Sequence, residues 1–258
     1  MIKFFRKIRQ NMLKENKIGK YLLYALGEII LVVIGILIAL QINNWNENRK
    51  IQKQEIQIYK ELKSDLLQTR KDIQEIVSKH EEIFKTSQSL IYDIHNKKPY
   101  SDTIYDFFTQ SNGDFQIIPK TSAFENLKNI GLNILSNDSL RIAITNLYQL
   151  DLKRLDDELG MNGAGLSIVQ LIYPFQKRYL VADYSQPTIY GFKHSDSITL
   201  YKLKIKDYDK FLNDNSLMMN LQLAIYNRGK KIDLEMETIN TLDNVIAKIE
   251  KELNLINR

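Results

Sequence analysis

The chain has no cysteine, and glycine and proline are scarce, with ten Gly and four Pro among 258 residues. The absence of cysteine excludes disulfides, thiolate metal sites and cysteine nucleophiles, so oxygen or histidine ligands would have to hold any metal. So few glycines and prolines argue against a loop-rich or disordered chain and favour long helices. The length is sufficient for one good-sized domain with a real core.

The net charge of +5 is concentrated at the N-terminal end of the chain. Residues 1–20 carry seven Lys or Arg against Glu15 alone, a net +6, which leaves −1 for residues 21–258. A nucleic-acid-binding face needs its positive charge spread over a folded domain, whereas a basic block before an apolar segment is typical of the cytoplasmic flank of a membrane anchor. We therefore predict a basic, amphipathic cytoplasmic segment over 1–20 and no nucleic-acid partner. The seven topogenic charges are Lys3, Arg6, Lys7, Arg9, Lys14, Lys17 and Lys20.

Residues 21–42 form an apolar run that is interrupted by one charge, Glu28. At about 1.5 Å per residue, a helix of this length spans about 33 Å, which matches the hydrocarbon core of a bilayer. Tyr21 and Tyr24 stand at one end and Trp45 just beyond the other, where aromatic rings prefer the membrane interfaces. A buried core helix is the alternative, but the length, the basic flank and the aromatic residues favour a transmembrane helix.

A cleaved signal peptide also combines a basic segment with an apolar run. This run is longer than such a region, and no small-x-small cleavage motif follows it, so we expect an uncleaved signal anchor. Seven Lys or Arg precede the helix, and four follow it within residues 43–60. This bias predicts a single-pass protein with a cytoplasmic N-terminus and with residues 43–258 outside the cytoplasm.

One face of the transmembrane helix differs from the others. Small and polar residues recur on it at spacings of three and four, whereas large aliphatic residues lie mainly elsewhere. Small residues allow close backbone approach, so we predict a helix-packing face that binds a second copy or another membrane protein. The alternative is that Glu28, two turns from the cytoplasmic end, snorkels to water. The face comprises Ala25, Glu28, Val32, Gly35 and Ala39.

Residues 43–258 are predicted to contain two long helices. The first covers about 46–97, where Pro99 ends it, and its apolar face shows a phase slip near residues 66–69. The second covers about 216–256, where Ile or Leu recurs every seven residues from Ile225 to Leu253 in a coiled-coil-like stripe. Two long helices in one domain most simply pair antiparallel, so we predict a mainly α fold, an elongated helical bundle.

Shorter elements are predicted between the long helices. Ser122 and Glu125 have the spacing of a capping box at the start of a short helix. Asn137 is a cap for a longer helix. Residues 181–200 are the least regular part, with a short strand at 198–203.

Motifs that carry chemistry are weak in this sequence. His80 and His95 lie fifteen residues apart, too far to share a metal from one helix, so they are predicted to be surface or packing residues. The glycines at 160–165 lack dinucleotide-binding spacing and a phosphate-binding lysine. The triad residue types at 194–196 are consecutive and cannot assemble a triad by themselves. We therefore predict no catalytic, metal or cofactor site; an envelope hydrolase is a minor alternative that would need clustered polar residues in the irregular region.

Two stretches of the sequence resemble a known family. MIKFFRKIRQ and the later KYLLYALGEIILVVIGILIALQINNWNENRK, within residues 1–50, closely resemble the opening of an uncharacterised family of single-pass membrane proteins abundant in Bacteroidota. LKNIGLNILSNDSLR, residues 127–141, resembles the family's middle segment. The family has no established activity. The resemblance implies a Gram-negative inner membrane and a periplasmic domain.

These observations predict a non-enzymatic, membrane-anchored periplasmic module for interaction or sensing, as part of an oligomer or envelope complex. The alternative is a stator-like proton-coupled subunit, because such proteins also place a short cytoplasmic N-terminus before one helix with a membrane carboxylate. That alternative requires a polytopic partner and a working Glu28.

Overall fold

A computed structural model describes residues 18–159 and 167–256, with side chains for residues 22, 23, 25–155 and 167–256. The predictions for Lys3 to Lys20, for Tyr21 and Tyr24, and for the glycines at 160–165 concern side chains or segments outside this description. The chain divides into two compact units, Met1–Gln57 and Ile58–Arg258.

The first helix, α1 (Ile18–His95), includes the predicted membrane segment. Where two helices were predicted, at 21–42 and about 46–97, the structure has this single helix. It is long and apolar enough to cross a membrane by length and composition, and none of its most apolar 18-residue window is buried. A helix suited to a lipid bilayer environment is therefore present in the first unit.

The second unit is mainly α-helical, as the composition predicted. The helices after α1 are α2 (Asp102–Gln110), α3 (Ser122–Ile130), α4 (Asp138–Asn146), α5 (Leu152–Leu159), α6 (Ile168–Tyr179), α7 (Tyr208–Leu212) and α8 (Asn215–Ile256). A 3₁₀ turn (Leu132–Ile134) follows α3, and a π-helical turn (Leu147–Asp151) joins α4 to α5. An antiparallel β-hairpin, β1 (Leu180–Tyr190) and β2 (Ile198–Ile205), separates α6 from α7.

Within the second unit, α1 and α8 pack antiparallel, as predicted. Lys63 Nζ lies 2.8 Å from Glu250 Oε1. Further along α1, Arg70 forms an ion pair with Asp243. Residue numbers therefore rise along α1 as they fall along α8.

The predicted stripe on α8 is buried in part. Ile239 and Ile246 lie in the core, as predicted, whereas Ile225 and Ile232 are only half-buried. Two neighbouring series, each recurring every seven residues, also form the core face. The prediction followed the most apolar residues and missed this part, because polar side chains occupy core positions in the middle of the helix. The buried series are Leu217, Ala224, Lys231, Thr238, Val245 and Leu221, Arg228, Glu235, Leu242, Ile249.

The predicted phase slip on α1 is wrong. Thr69 is fully buried and keeps the spacing of three and four between Leu66 and Ile73. Its hydroxyl Oγ1 accepts a hydrogen bond from the backbone N–H of Lys120 at 2.9 Å. A polar residue with a long-range partner therefore holds a core position, and the apolar pattern alone misses it.

The predicted capping box at the start of α3 is also wrong. Thr121 is the N-cap, and its side chain makes no capping hydrogen bond. Asp65 of α1 supplies the acceptor: its Oδ2 atom lies 2.9 Å from both the backbone N of Ala123 and Oγ of Ser122, which donate to it. The cap comes from a different helix, so local spacing could not predict it.

Residues 181–200 are more regular than predicted, because β1 was missed. The predicted strand at 198–203 is the larger part of β2. Most of β1 is exposed, so it lacks the alternation of buried and exposed residues that marks a strand in sequence. The pairing is also irregular between Ala182 and Pro187.

Two apolar cores lie in the second unit. The first includes Leu62 and Val77 of α1 and Leu234 of α8, packed with α3, α4 and α5. The second includes Leu90 of α1 and Ala224 of α8, packed with α2, α6 and α7. The α1–α8 contact between these two cores contains charged side chains together with the apolar pair of Phe84 and Gly229.

Candidate functional sites

A cluster of charged side chains is buried between the two apolar cores. α1 provides one member, the connector between α2 and α3 (residues 111–121) provides one, and α8 provides three. Each is no more than 1% exposed. Charged groups this deeply buried need partners, because desolvation of an unpaired charge is very costly. The members of this charge cluster are His80, Asp114, Arg228, Lys231 and Glu235.

The three α8 members share one face of the helix because they are spaced by three and four residues. Lys231 Nζ lies 2.7 Å from Asp114 Oδ1. His80 lies between the two carboxylates: its Nδ1 atom is 3.0 Å from Oε1 and 3.2 Å from Oε2 of Glu235. Its Nε2 atom is 3.8 Å from Asp114 Oδ1, an ion-pair distance beyond a normal hydrogen bond. These contacts join α1, the connector and α8.

Arg228 holds the start of the connector. Its Nη1 atom donates to the carbonyl oxygen of Gly113 at 2.8 Å, and Nη2 donates to that of Ser111 at 3.0 Å. The backbone comes close to α1 here, since a Cβ at Gly113 would lie 2.6 Å from Ile83 Cδ1 and 3.1 Å from the Gln110 carbonyl oxygen. Glycine therefore fits position 113, whose carbonyl oxygen accepts the hydrogen bond from Arg228.

The environment changes the pKa of three members. Burial lowers the pKa of the Arg228 guanidinium to about 10, against the opposing effect of Asp114 and Glu235. Burial raises the pKa of Asp114, but His80 and Lys231 more than offset this, and it lies below its ordinary value. Burial lowers the pKa of His80, yet the carboxylates of Asp114 and Glu235 outweigh it, so this pKa lies above its ordinary value.

The charge cluster is not fully satisfied by hydrogen bonds. Within the described part of the chain, three members each have one buried atom with neither a hydrogen-bond partner nor a close ion pair. Each such atom costs roughly 1–3 kcal/mol when it is buried. A cluster of this kind adds little net stability. The three atoms are His80 Nε2, Asp114 Oδ2 and Arg228 Nε.

Sequence reasoning missed the charge cluster. His80 was predicted to be a surface or packing residue, and it is buried, but as part of an ionic network. The signal was present: counting in sevens from Leu217 reaches Lys231, and counting from Leu221 reaches Arg228 and Glu235. Among the described residues, no group of three or more His, Asp or Glu is placed to hold a metal ion.

The second notable feature is the exposed β-hairpin. Eight large apolar side chains in it are each at least 39% exposed, with Tyr184 at 77% and Ile189 at 73%. Ile189 pairs with Thr199 across the hairpin, so both lie on the face that carries Tyr201, whose ring is 5.0 Å from that of Tyr184. The eight residues, which we call the hairpin patch, are Tyr184, Ile189, Tyr190, Phe192, Ile198, Leu200, Tyr201 and Leu203.

The base of the hairpin is attached to α2. The hydroxyl groups of Tyr100 and Tyr105 hydrogen-bond the backbone of Ile205 and Leu203, respectively. Lys202 Nζ also lies 3.2 Å from Asp102 Oδ1. The edge of β2 near its base is therefore occupied.

The predicted helix-packing face lies on α1, in the first unit. Ala25 is half-buried and the other four members are exposed, and a Cβ added at Gly35 would meet nothing within 4 Å. Trp45 is exposed, with the Arg49 guanidinium 5.8 Å from its ring centre. Binding of a partner by this face, which is formed by Ala25, Glu28, Val32, Gly35 and Ala39, stays a prediction.

The triad residue types at 194–196 lie in the exposed loop between β1 and β2. They are adjacent residues of one loop, as in the sequence. Residues 181–200, where the hydrolase alternative required clustered polar residues, comprise most of β1, the loop and the start of β2.

Together, these features define a mainly α protein that combines a helix suited to a membrane with a helical domain built around a buried charge cluster. A profile of the family of unknown function DUF6090 matches residues 28–163, more than half of the chain, so the protein belongs to that family. His80 and Asp114 lie inside the matched region, whereas the hairpin and α8 lie outside it. Neither the curated proteins nor the solved structures include a match.

Proposed function

We propose that this protein is a membrane-anchored helical module, with its second unit in the periplasm, that acts by binding protein rather than by catalysis. We propose further that the protein bound at the hairpin patch is a second copy of the same chain. The observation that carries the proposal is the patch itself, in which apolar side chains stand exposed on both faces of a two-stranded sheet. A lone hairpin is only marginally stable in water, so large apolar residues on both faces favour a partner that covers them.

The size of the patch fits a dimer. At roughly 200 Å² for a large side chain, the eight residues at their observed exposures present on the order of 800 Å² over the two faces together, so a partner that covers all of them has to contact both faces. A standard protein interface covers about 800 Å² on each partner. An apolar surface of this kind is complementary to itself, which a two-fold dimer requires, and anchoring in a membrane raises the local concentration of the copies.

The faces of the hairpin, rather than its edges, are suited to this contact. Pro187 in β1 has no backbone N–H and interrupts any added strand on that edge. Tyr100 and Tyr105 occupy the edge of β2 near its base. We therefore expect side-chain packing between hairpins, with little backbone pairing.

Disulfide crosslinking tests the proposal directly, because the natural chain has no cysteine. Thr199→Cys places one thiol on the face that carries Ile189, and Glu81→Cys places one on an exposed part of α1 as a control. Mild oxidation of membranes should give a covalent dimer for Thr199→Cys and little for Glu81→Cys. Equal yields for both variants would contradict the dimer. A Thr199→Cys adduct of a different mass would instead show another protein at the hairpin and would overturn the second copy as the partner.

Polar substitution in the patch provides a second test. Tyr184→Ser with Ile189→Ser should weaken the dimer at least about tenfold, because buried aromatic and aliphatic anchors dominate interface energies. Tyr226→Ser is the matched control, since Tyr226 is 61% exposed on α8, away from the hairpin. Light scattering of the detergent-solubilised chain against concentration measures the change. An unchanged dissociation constant in the double variant would remove the patch from the interface.

A further inference from the structure

We propose that the charge cluster is a proton sensor: a change of charge on His80 or Asp114 strengthens or releases the contact that joins α1, the connector and α8. The inference does not depend on the hairpin dimer. The second unit would then respond to the local pH in addition to binding a protein partner.

The position of the cluster makes it suited to this role. Along α1 the first apolar core ends at Val77 and the second begins at Leu90. Along α8 the second core ends at Ala224 and the first resumes at Leu234. Between these points buried charged groups form much of the contact of the two long helices, beside the packing of Phe84 on Gly229, so the state of those charges affects how firmly the two cores are coupled.

The net charge of the cluster changes with pH. Two carboxylates, Asp114 and Glu235, face two basic side chains, Lys231 and Arg228, with His80 between the carboxylates. Protonated His80 raises the net charge of the cluster by one, but its imidazole then lies against both carboxylates, which favour the protonated form. If acid neutralises Asp114 while His80 is protonated, three cations face one carboxylate in a buried space. Such a state strongly favours opening of the cluster to water.

The direction of each effect follows from linkage. Asp114 has a lowered pKa in the folded protein. Its contribution to stability is therefore present above the ordinary aspartate pKa of 3.8 and is lost as the pH falls through the folded value. His80 has a raised pKa, so its contribution is present below the ordinary value of 6.5 and is lost as the pH rises through the folded value. The cluster is therefore most stable between about pH 4 and pH 6.5, and it weakens on both sides.

The groups that face His80 come from every element packed against it. The connector contributes Asp114 and the ring of Phe115, whose centre is 5.3 Å from that of the imidazole. From α8, Glu235 lies against the imidazole, Arg228 disfavours its protonated form, and Lys231 pairs with Asp114 at 2.7 Å. The two carboxylates outweigh burial and the opposing guanidinium, so the protonated imidazole is favoured.

Histidine NMR on the intact, detergent-solubilised chain is the sharpest experiment, because the chain has only three histidines. His95 and His194 are exposed, so His95→Gln and His194→Gln should fold normally and identify their two signals. The remaining signal belongs to His80 in the natural chain. We expect it to titrate above the ordinary histidine pKa of 6.5. A His80 titration at or below pH 6.5 would overturn the sensor.

Chemical unfolding across pH 4–9 gives the functional measurement. As the pH rises from 6.5 through the folded pKa of His80, the unfolding equilibrium constant of the natural chain should rise by up to about tenfold per pH unit. His80→Gln should lack this contribution to the pH dependence. His95→Gln should retain the dependence of the natural chain. If His80→Gln does not fold, Glu235→Gln replaces it: removal of this carboxylate should lower the titration pH of His80. An unchanged titration in Glu235→Gln, or the same pH dependence in His80→Gln and the natural chain, would contradict the proposal.

Discussion

Lys231 Nζ lies 2.7 Å from Asp114 Oδ1, and neither side chain is more than 1% exposed. This ion pair connects the middle of α8 to the connector. Lys231→Met removes the ammonium group and leaves Asp114 buried beside fewer positive charges. We expect a loss of about 3–5 kcal/mol in the free energy of unfolding, the usual cost of breaking a buried ion pair on one side. Denaturant titration of the solubilised chain measures it.

The neighbouring Lys230 is exposed and provides the matched control. Lys230→Met should change the free energy of unfolding by no more than about 0.5 kcal/mol. Adding Asp114→Asn to Lys231→Met should restore part of the lost stability, because the main cost is the unpaired carboxylate. Equal effects of the two lysine substitutions would show that the pair contributes little.

Asp65→Ala tests the cap that α1 supplies to α3. Its carboxylate accepts hydrogen bonds from Ala123 N and Ser122 Oγ, so we expect a loss of about 1 kcal/mol or more, as for other helix caps. Glu125→Ala, which would matter in a capping box, should have the smaller effect, because this side chain pairs with Lys128 on the helix surface. Thermal or denaturant unfolding distinguishes the two. A larger effect at Glu125 would favour the local cap.

The contrast between caps shows what the sequence could predict. Asn137 accepts from Leu140 N three residues later, and this local signal was predicted correctly. Asp65 caps a helix at Ala123, 58 residues later in the chain, so the local sequence around α3 could not indicate this cap. The antiparallel pairing of α1 and α8 followed from their length and periodicity.

The charge cluster and the hairpin were missed for different physical reasons. Arg228, Lys231 and Glu235 hold core positions on α8, and a pattern based on hydrophobicity assigns such residues to the surface. β1 is exposed over most of its length, so it has no buried face to produce alternation. Hydrophobic periodicity indicates which apolar residues are buried. The charge cluster consists of buried charged residues and the hairpin patch of exposed apolar ones, so this pattern indicates neither.

Gly131→Ala tests a strained backbone position at the end of α3. Gly131 has φ of +113°, which L-residues rarely adopt, while a Cβ there would meet no atom within 4 Å. Any destabilisation, which we expect to be about 1–2 kcal/mol, therefore comes from the backbone. Gly191→Ala is the control, since Gly191 has equal space and no such φ, and it should be neutral or slightly stabilising. Unfolding free energies that agree for the two variants would argue against strain.

Tyr105→Phe tests the attachment of the hairpin to α2. The substitution removes the hydroxyl that hydrogen-bonds the backbone of Leu203 and keeps the ring. Amide hydrogen exchange in β2 should speed up by about fivefold or more, as expected when a net hydrogen bond of about 1 kcal/mol is lost. Tyr226→Phe, on an exposed residue of α8, should leave exchange in β2 unchanged. If Tyr105→Phe also leaves it unchanged, other contacts hold the strand in place.

Gly35→Ile combined with Glu28→Leu tests the predicted helix-packing face of the membrane segment. Both residues are exposed on α1, and large apolar side chains there would prevent close backbone approach. We expect fewer oligomers that survive in detergent, whereas Leu37→Ile, on a different face, should leave them unchanged. The measurement is made in the background of Tyr184→Ser with Ile189→Ser, so that any association through the hairpin patch is already weakened. Oligomers that persist in this combined variant would remove the membrane face as a contact, and they would leave Glu28 to the snorkelling or stator-like interpretations.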